Sequence, residues 1–211
     1  MVVFRKVLPD EDRLMRQIFN LRYQVYTLER SFLPSDRYPH KLEIDDFDNQ
    51  SVHFAALNDF DQVLGSVRMI LDQPKMIPVK KYCPEVSLES ECLSQNVAEI
   101  SRLVISKKSR HILKENSISE EEIVLGLCRA MYDECLLKEI THTYALMERT
   151  LWHLLRRYGF QFQCLGHEVD VFGPVKPYVC DVSAIEWAEI LPEEIPVTIP
   201  RFPFKETLVV A

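Results

Sequence analysis

Hydrophobic and polar positions lie closest together over residues 97–106, VAEISRLVIS, an aliphatic run that carries Glu99, Ser101 and Arg102 inside it. The pattern predicts an interior strand, with Glu99, Ser101 and Leu103 on one face and Ile100, Arg102 and Val104 on the other. An unpaired buried charge costs several kcal/mol, so partners must come from elsewhere in the chain. Before this strand, the pattern predicts a strand over 2–7 and a helix over 12–28 whose apolar stripe is Leu14, Ile18, Leu21, Val25 and Leu28, with Arg22 and Tyr26 one turn apart beside it. On this stretch alone, Arg22 reads as a solvated helix arginine. Residues 29–50 lose all periodicity. They form a loop of roughly twenty residues, a length that marks either function or disorder, and Phe32, Leu33, Leu42, Ile44 and Phe47 favour a packed loop or lid. A β-hairpin follows over 51–57 and 63–71, turned by Asn58-Asp-Phe-Asp61.

Residues 72–96, broken by prolines, read as an irregular excursion or a pair of short helical turns. Beyond the central strand, Lys107-Lys-Ser-Arg110-His reads as a basic cluster, and Ser119-Glu-Glu-Glu122 has the form of a helix start. That helix runs to about 138, with Ile123, Leu127, Ala130, Met131, Cys135 and Leu136 as its face. A strand over 141–147, a helix over 149–158 ended by Gly159, strands over 160–165 and 177–182, a helix over 183–190 and a proline-rich tail complete the chain. An antiparallel meander joined to a βαβαβ half gives an α/β or α+β class, in a single domain over 1–211.

Composition narrows the function. The chain has 211 residues, 47% of them hydrophobic, and a net charge of -7, which argues against nucleic acid or an anionic membrane as the main partner. No window holds the ~18 apolar residues of a membrane span, and no secretory leader is visible, so a cytoplasmic location is expected. The six cysteines are scattered and read as reduced, mostly buried thiols; no metal site is expected, since the acidic run over 43–48 lacks the glycine and terminal glutamate of a calcium loop. Cys164 and His167 have no orienting partner in sequence and read as a core thiol and a surface histidine.

Taken together, Leu21-Arg22-Tyr23-Gln-Val25-Tyr26, Asp45-x-x-Asp48, Gly65-Ser-Val-Arg68 and Glu99-Ile-Ser101-Arg102 resemble the signature of acyl-homoserine-lactone synthases. They also resemble the related N-acyl amino acid synthases and the exosortase-associated acyltransferases. Tyr144-Ala-Leu-Met147-Glu, Arg157-Tyr-Gly159-Phe160 and Gly173-x-x-x-Pro177-Tyr178 are more similar to the latter two groups. Two departures stand out. Phe32 occupies the position where lactone synthases carry a tryptophan, and the glycine-rich loop that holds the coenzyme A pyrophosphate in typical GNAT enzymes is missing after Ser106, where Lys107, Lys108 and Arg110 stand instead.

The resemblance implies a GNAT fold: a mixed central sheet with splayed strands, flanked by helices. It implies an N-acyltransferase that takes a fatty acyl group from an acyl carrier protein thioester, or from acyl-CoA, to the amine of an amino acid or similar small acceptor, with no bound cofactor. Glu99 would act as general base, with Arg102 beside it as the second catalytic residue. Arg22, Asp45, Asp48, Arg68 and Arg102 would form a charged network holding the loop over the cleft; the other version is that these pairs only pin the loop to the sheet. Tyr26, Phe32, Ser101, Leu103 and Met147 would contact substrate, with Phe47 as a further wall, and Lys107, Lys108 and Arg110 would hold the phosphopantetheine phosphate and the acidic carrier. Competing readings are a lactone synthase that consumes S-adenosylmethionine and a non-catalytic module that binds acyl groups or the carrier.

Overall fold

The computed structural model describes residues 1–71, 77–86, 96–171 and 173–187. The elements run β1 (Val2–Val7), α1 (Asp12–Tyr23), β2 (Ser51–Asn58), β3 (Val63–Ile70), α2 (Pro78–Tyr82), β4 (Val97–Val104), α3 (Lys107–Glu115), α4 (Glu120–Leu137), β5 (His142–Met147), α5 (Arg149–Arg157), β6 (Gln163–Cys164), β7 (Val169–Asp170) and β8 (Pro174–Asp181). One sheet carries the strands in the order β1-β2-β3-β4-β5-β8-β6, with β7 pairing separately to β8. Pairing is antiparallel throughout except for β4 and β5, which are parallel, as the α3–α4 crossover between them requires.

Alternation along the hairpin sends successive side chains to two different cores. Ala55, Leu57 and Val63 pack against an apolar stripe formed by Leu14, Ile18 and Leu21 of α1 and by Val25 in the turn that follows it. Phe54, Val67 and Met69 pack on the opposite face against Ile123, Leu127 and Met131 of α4. That helix crosses so close to β1 that a Cβ at Gly126 would lie 2.4 Å from the Phe4 ring, so only glycine fits there. Its start is a capping box between Ser119 and Glu122, as the sequence predicts.

Five local expectations are revised. The helix over 12–28 forms, but its last turn widens into a π-helical turn over Gln24–Glu29, a feature that concentrates at functional sites. The basic cluster at 107–111 is the first turn of α3, capped by the Ser106 hydroxyl, which accepts the Ser109 N–H at 3.0 Å. The strand over 160–165 shrinks to Gln163–Cys164, because the Phe160 N–H is already spent capping α5 at Leu155 O, 3.1 Å away. The helix over 183–190 is a 3-10 turn, Val182–Ala184, held by the Asp181 carboxylate; residues 188–190 and the tail lie outside the described residues. The final strand also begins earlier, at Pro174, where a proline is tolerated as first residue. Within 72–96, the described part holds the short helix α2. No helix among the described residues is long and apolar enough to cross a membrane.

Candidate functional site

The sheet opens at its middle. The register of β4 with β5 ends at Ile100↔Ala145, although β4 runs on to Val104 and β5 to Met147. On its other side β4 carries a bulge: Ser66 pairs with Val104 and Arg68 with Ser101, so Arg102 and Leu103 together oppose Val67. Arg102 takes up the extra residue with φ +55°, a left-handed conformation that costs an arginine about 1 kcal/mol or more and persists only when its surroundings enforce it. This corrects the alternation expected for the strand. Instead of facing away from Ser101, Arg102 joins Ser101 and Arg68 on one side, since both arginines reach Asp45 and the Arg68 Nε donates to Ser101 Oγ at 3.0 Å.

What enforces it is a closed ring of alternating charge. Arg22 pairs with Glu43 and, through Nη1, with Asp48 at 2.6 Å. Asp48 also accepts from Arg68 Nη1 at 2.9 Å, and Arg68 in turn holds Asp45. Asp45 accepts from Arg102 Nη2 at 2.8 Å, and the same nitrogen donates to Glu43 at 3.0 Å, which returns to Arg22. Each carboxylate thus bridges two arginines and each arginine bridges two carboxylates. Arg22, Glu43 and Arg68 are all but inaccessible to solvent, and such charges are tolerable only when paired as completely as this. Burial works against the charged forms of Glu43, Asp45 and Asp48, but the adjoining guanidinium groups outweigh it and hold all three below the ordinary carboxylate range.

Sequence reasoning placed Arg22, Asp45, Asp48, Arg68 and Arg102 together but omitted Glu43, which completes the ring. The sequence reading set three arginines against two aspartates and took Glu99 to complete the balance; the third anion of the ring is instead the glutamate two positions before Asp45. His53 was also missed. It lies across the hairpin from Arg68, 3.6 Å from Asp48, and neither ring nitrogen makes a hydrogen bond among the described residues. Burial pushes it down to about 4, so it stays neutral and leaves the charge balance of the ring intact.

Glu99 stands outside the ring. Only 1% exposed, it is held by the backbone N–H of Val79 in α2, which donates to Oε2 at 2.7 Å. Burial pushes its carboxyl up to about 8, against the pull of that N–H and of the Arg68 and Arg102 charges. Glu99 lines a cavity of about 460 Å3 that enters the sheet where β4 and β5 part. Phe47, Arg68, Pro78, Tyr82 and Ser101 line it together with Glu99; Leu103, Ala145 and Met147 line it from the parted strands β4 and β5; and Met131, Leu151, Leu154 and Phe160 supply apolar lining from α4, α5 and the residues after α5.

The mouth is built from the π-helical turn and the loop after it. Tyr26 lies under the Arg102 guanidinium, 5.2 Å from ring centroid to Cζ, and packs on Phe32 at 6.4 Å. Phe32 covers Gly173, where φ is +107° and a Cβ would come within 3.2 Å of the Phe32 ring; an L side chain there would be strained and would displace the phenylalanine. Of the basic cluster, Arg110 lines the cavity but pairs with Glu120 at 2.8 Å, while Lys107 and Lys108 are exposed on α3. Cys83, Cys128, Cys135, Cys164 and Cys180 are free thiols, and burial pushes Cys128, Cys135 and Cys180 up to about 12, so they are poor nucleophiles.

A family model described as an acetyltransferase (GNAT) domain matches residues 21–115, the stretch that supplies all six members of the ring and Glu99. Similar solved structures include the AHL synthase LasI, 19% identical with a TM-score of 0.71 over 92% of this chain and 98% of that one. The CoA-dependent acyl-homoserine lactone synthase BjaI, solved with SAM and isopentyl-CoA, is 19% identical with a TM-score of 0.65 over 86% and 84%. FeeM, an N-acyl amino acid synthase from uncultured soil microbes, is 15% identical with a TM-score of 0.64 over 90% and 95%. Parted parallel strands, an arginine–carboxylate ring beside them and these likenesses agree: the chain has the fold of the GNAT acyltransferases, a GNAT-like α/β domain on a mixed, open sheet flanked by helices.

Proposed function

We propose that the chain is an N-acyltransferase that moves a fatty acyl group from an acyl carrier protein thioester to the amine of an amino acid or similar small acceptor. The observation that carries this reading is Glu99: a buried carboxyl, pushed up to about 8, set where two strands part above an apolar cavity. A carboxylate so raised is a competent base near neutral pH. The acyl chain would lie in the apolar interior and the thioester in the gap. Glu99, directly or through a water, would take a proton from the acceptor ammonium; the free amine would then add to the thioester carbonyl. The carbon–nitrogen bond forms first, giving a tetrahedral oxyanion, which backbone N–H groups at the parting of β4 and β5 would stabilise. Collapse breaks the carbon–sulfur bond, the nitrogen gives up its second proton, and the pantetheine leaves as a thiol.

The ring would act as the rigid floor of the acceptor end, holding residues 43–48 against the sheet. Arg102 would position that segment and, through Tyr26, the mouth. Lys107, Lys108 and Arg110 flank the same mouth and suit the acidic surface and phosphate of a carrier protein; acyl-CoA is the alternative donor. The test is release of free thiol from acyl carrier protein thioesters in the presence of amines, with Glu99→Gln as control. Release that depends on the amine and on Glu99 is expected; tight thioester binding without release under any amine would mark a non-catalytic module. Consumption of S-adenosylmethionine with release of methylthioadenosine would mark a lactone synthase instead.

A further inference from the structure

The cations around the cavity are nearly all committed. Arg68 and Arg102 line it and belong to the closed ring; Arg30 lines it and pairs with Glu148 at 3.5 Å; Arg110 lines it and pairs with Glu120. An anionic group on the acceptor would have to compete with a resident carboxylate for any of them. Lys81 does not itself line the cavity, but it rests on two residues that do. Its ammonium rests 5.7 Å from the Phe47 ring centroid and 5.4 Å from that of Tyr82, two residues that line the same cavity as Glu99, and it enters no ion pair among the described residues. Its neighbour Lys80 is occupied by the carbonyls of Pro84 and Val86. Lys81 also stands on α2, two residues after Val79, whose N–H fixes Glu99.

We infer that Lys81 is the cation that recognises the carboxylate of the acceptor, so that the acceptor class is a free amino acid and not a simple amine. The inference rests on the acyl-transfer reading and deepens it. One short helix then positions both ends of the acceptor: Val79 holds the group that takes the ammonium proton, and Lys81 reaches over the aromatic wall to the acid. Among the described residues the ammonium is held by two ring faces and by no counter-ion, so a substrate carboxylate can engage it without displacing any of them.

The experiment measures thiol release from octanoyl, dodecanoyl and hexadecanoyl thioesters of acyl carrier protein and of coenzyme A. Each common amino acid is compared with its own primary carboxamide, for the unaltered chain, Lys81→Gln and Lys81→Arg. Lys81 is exposed, so neither change threatens folding. The unaltered chain should favour the acid over its amide; Lys81→Gln should lower kcat/KM for the acid about tenfold through KM and leave the amide unchanged, and Lys81→Arg should restore most of the loss. Equal losses for acid and amide, or an unaltered chain that favours amides, would overturn the role given to Lys81. Release with no amine at all would overturn acyl transfer itself, and the acceptor role with it.

Discussion

The backbone N–H of Val79 meets Glu99 Oε2 at 2.7 Å, and it is the hydrogen bond that ties the carboxyl to α2. Because the folded carboxyl titrates near 8 and an unfolded one near 4, the native chain binds the extra proton in between. Stability contributed by this group is therefore full below about pH 4 and falls as pH rises toward 8. Activity should move the opposite way, with kcat/KM for the acceptor climbing through about pH 8 as Glu99 ionises. Glu99→Gln should flatten the stability limb in urea titrations and lower turnover about a hundredfold or more, with thioester binding nearly unchanged; equal losses in binding and turnover would remove Glu99 from the chemistry.

Glu43 bridges Arg22 and Arg102 with 1% of its side chain exposed. Replacing it with alanine leaves two arginines short of a partner, and the expected loss is about 3–5 kcal/mol in the urea midpoint extrapolated to water. Asp45, Asp48 and Glu43 all titrate below their unfolded values, so their contribution is present above about pH 4 and disappears as pH falls through the folded values. Glu43→Gln should accordingly show a shallower acid limb than the unaltered chain.

Much of this was legible in the sequence, and the misses have definite causes. The apolar stripe of α1 and the turn at Asn58-Asp-Phe-Asp61 are local signals, and both elements formed where expected. The charged run Glu99-Ile-Ser101-Arg102 announced a special strand, but period-two alternation cannot foresee a bulge, which is set by how β3 and β4 meet. Glu43 was passed over because one glutamate in an acidic loop looks like any other until the loop folds back on α1 through the Glu43 N–H and Phe19 O, 3.0 Å apart. The π-helical turn left no mark at all: Val25 and Leu28 continue a helical stripe whether or not the backbone widens there.

Met147 is 4% exposed, ends β5 at the gap and lines the cavity. Met147→Trp should fill the entrance to the apolar interior. Transfer of long acyl chains is expected to fall at least tenfold relative to short ones in a competition between thioesters of different length. A uniform fall across lengths would place the acyl chain elsewhere.

Lys107 and Lys108 are exposed on the first turn of α3, next to Arg110 at the cavity. Charge reversal at both lysines should raise KM for an acyl carrier protein thioester about tenfold at low salt, with the difference shrinking near 0.5 M salt, where screening is strong. KM for the same acyl group on a pantetheine fragment should stay put. If both donors weaken alike, these lysines serve the arm and not the carrier.

The three anions of the ring come from one short stretch, residues 43–48, whereas the three cations come from α1, β3 and β4. Nothing in that arrangement lets the stretch lift at one end only, since freeing any one anion strands two guanidinium groups at once. Backbone amides across 43–48, and those at the β4 bulge, should therefore exchange with deuterium at a common rate, as one door on a single latch.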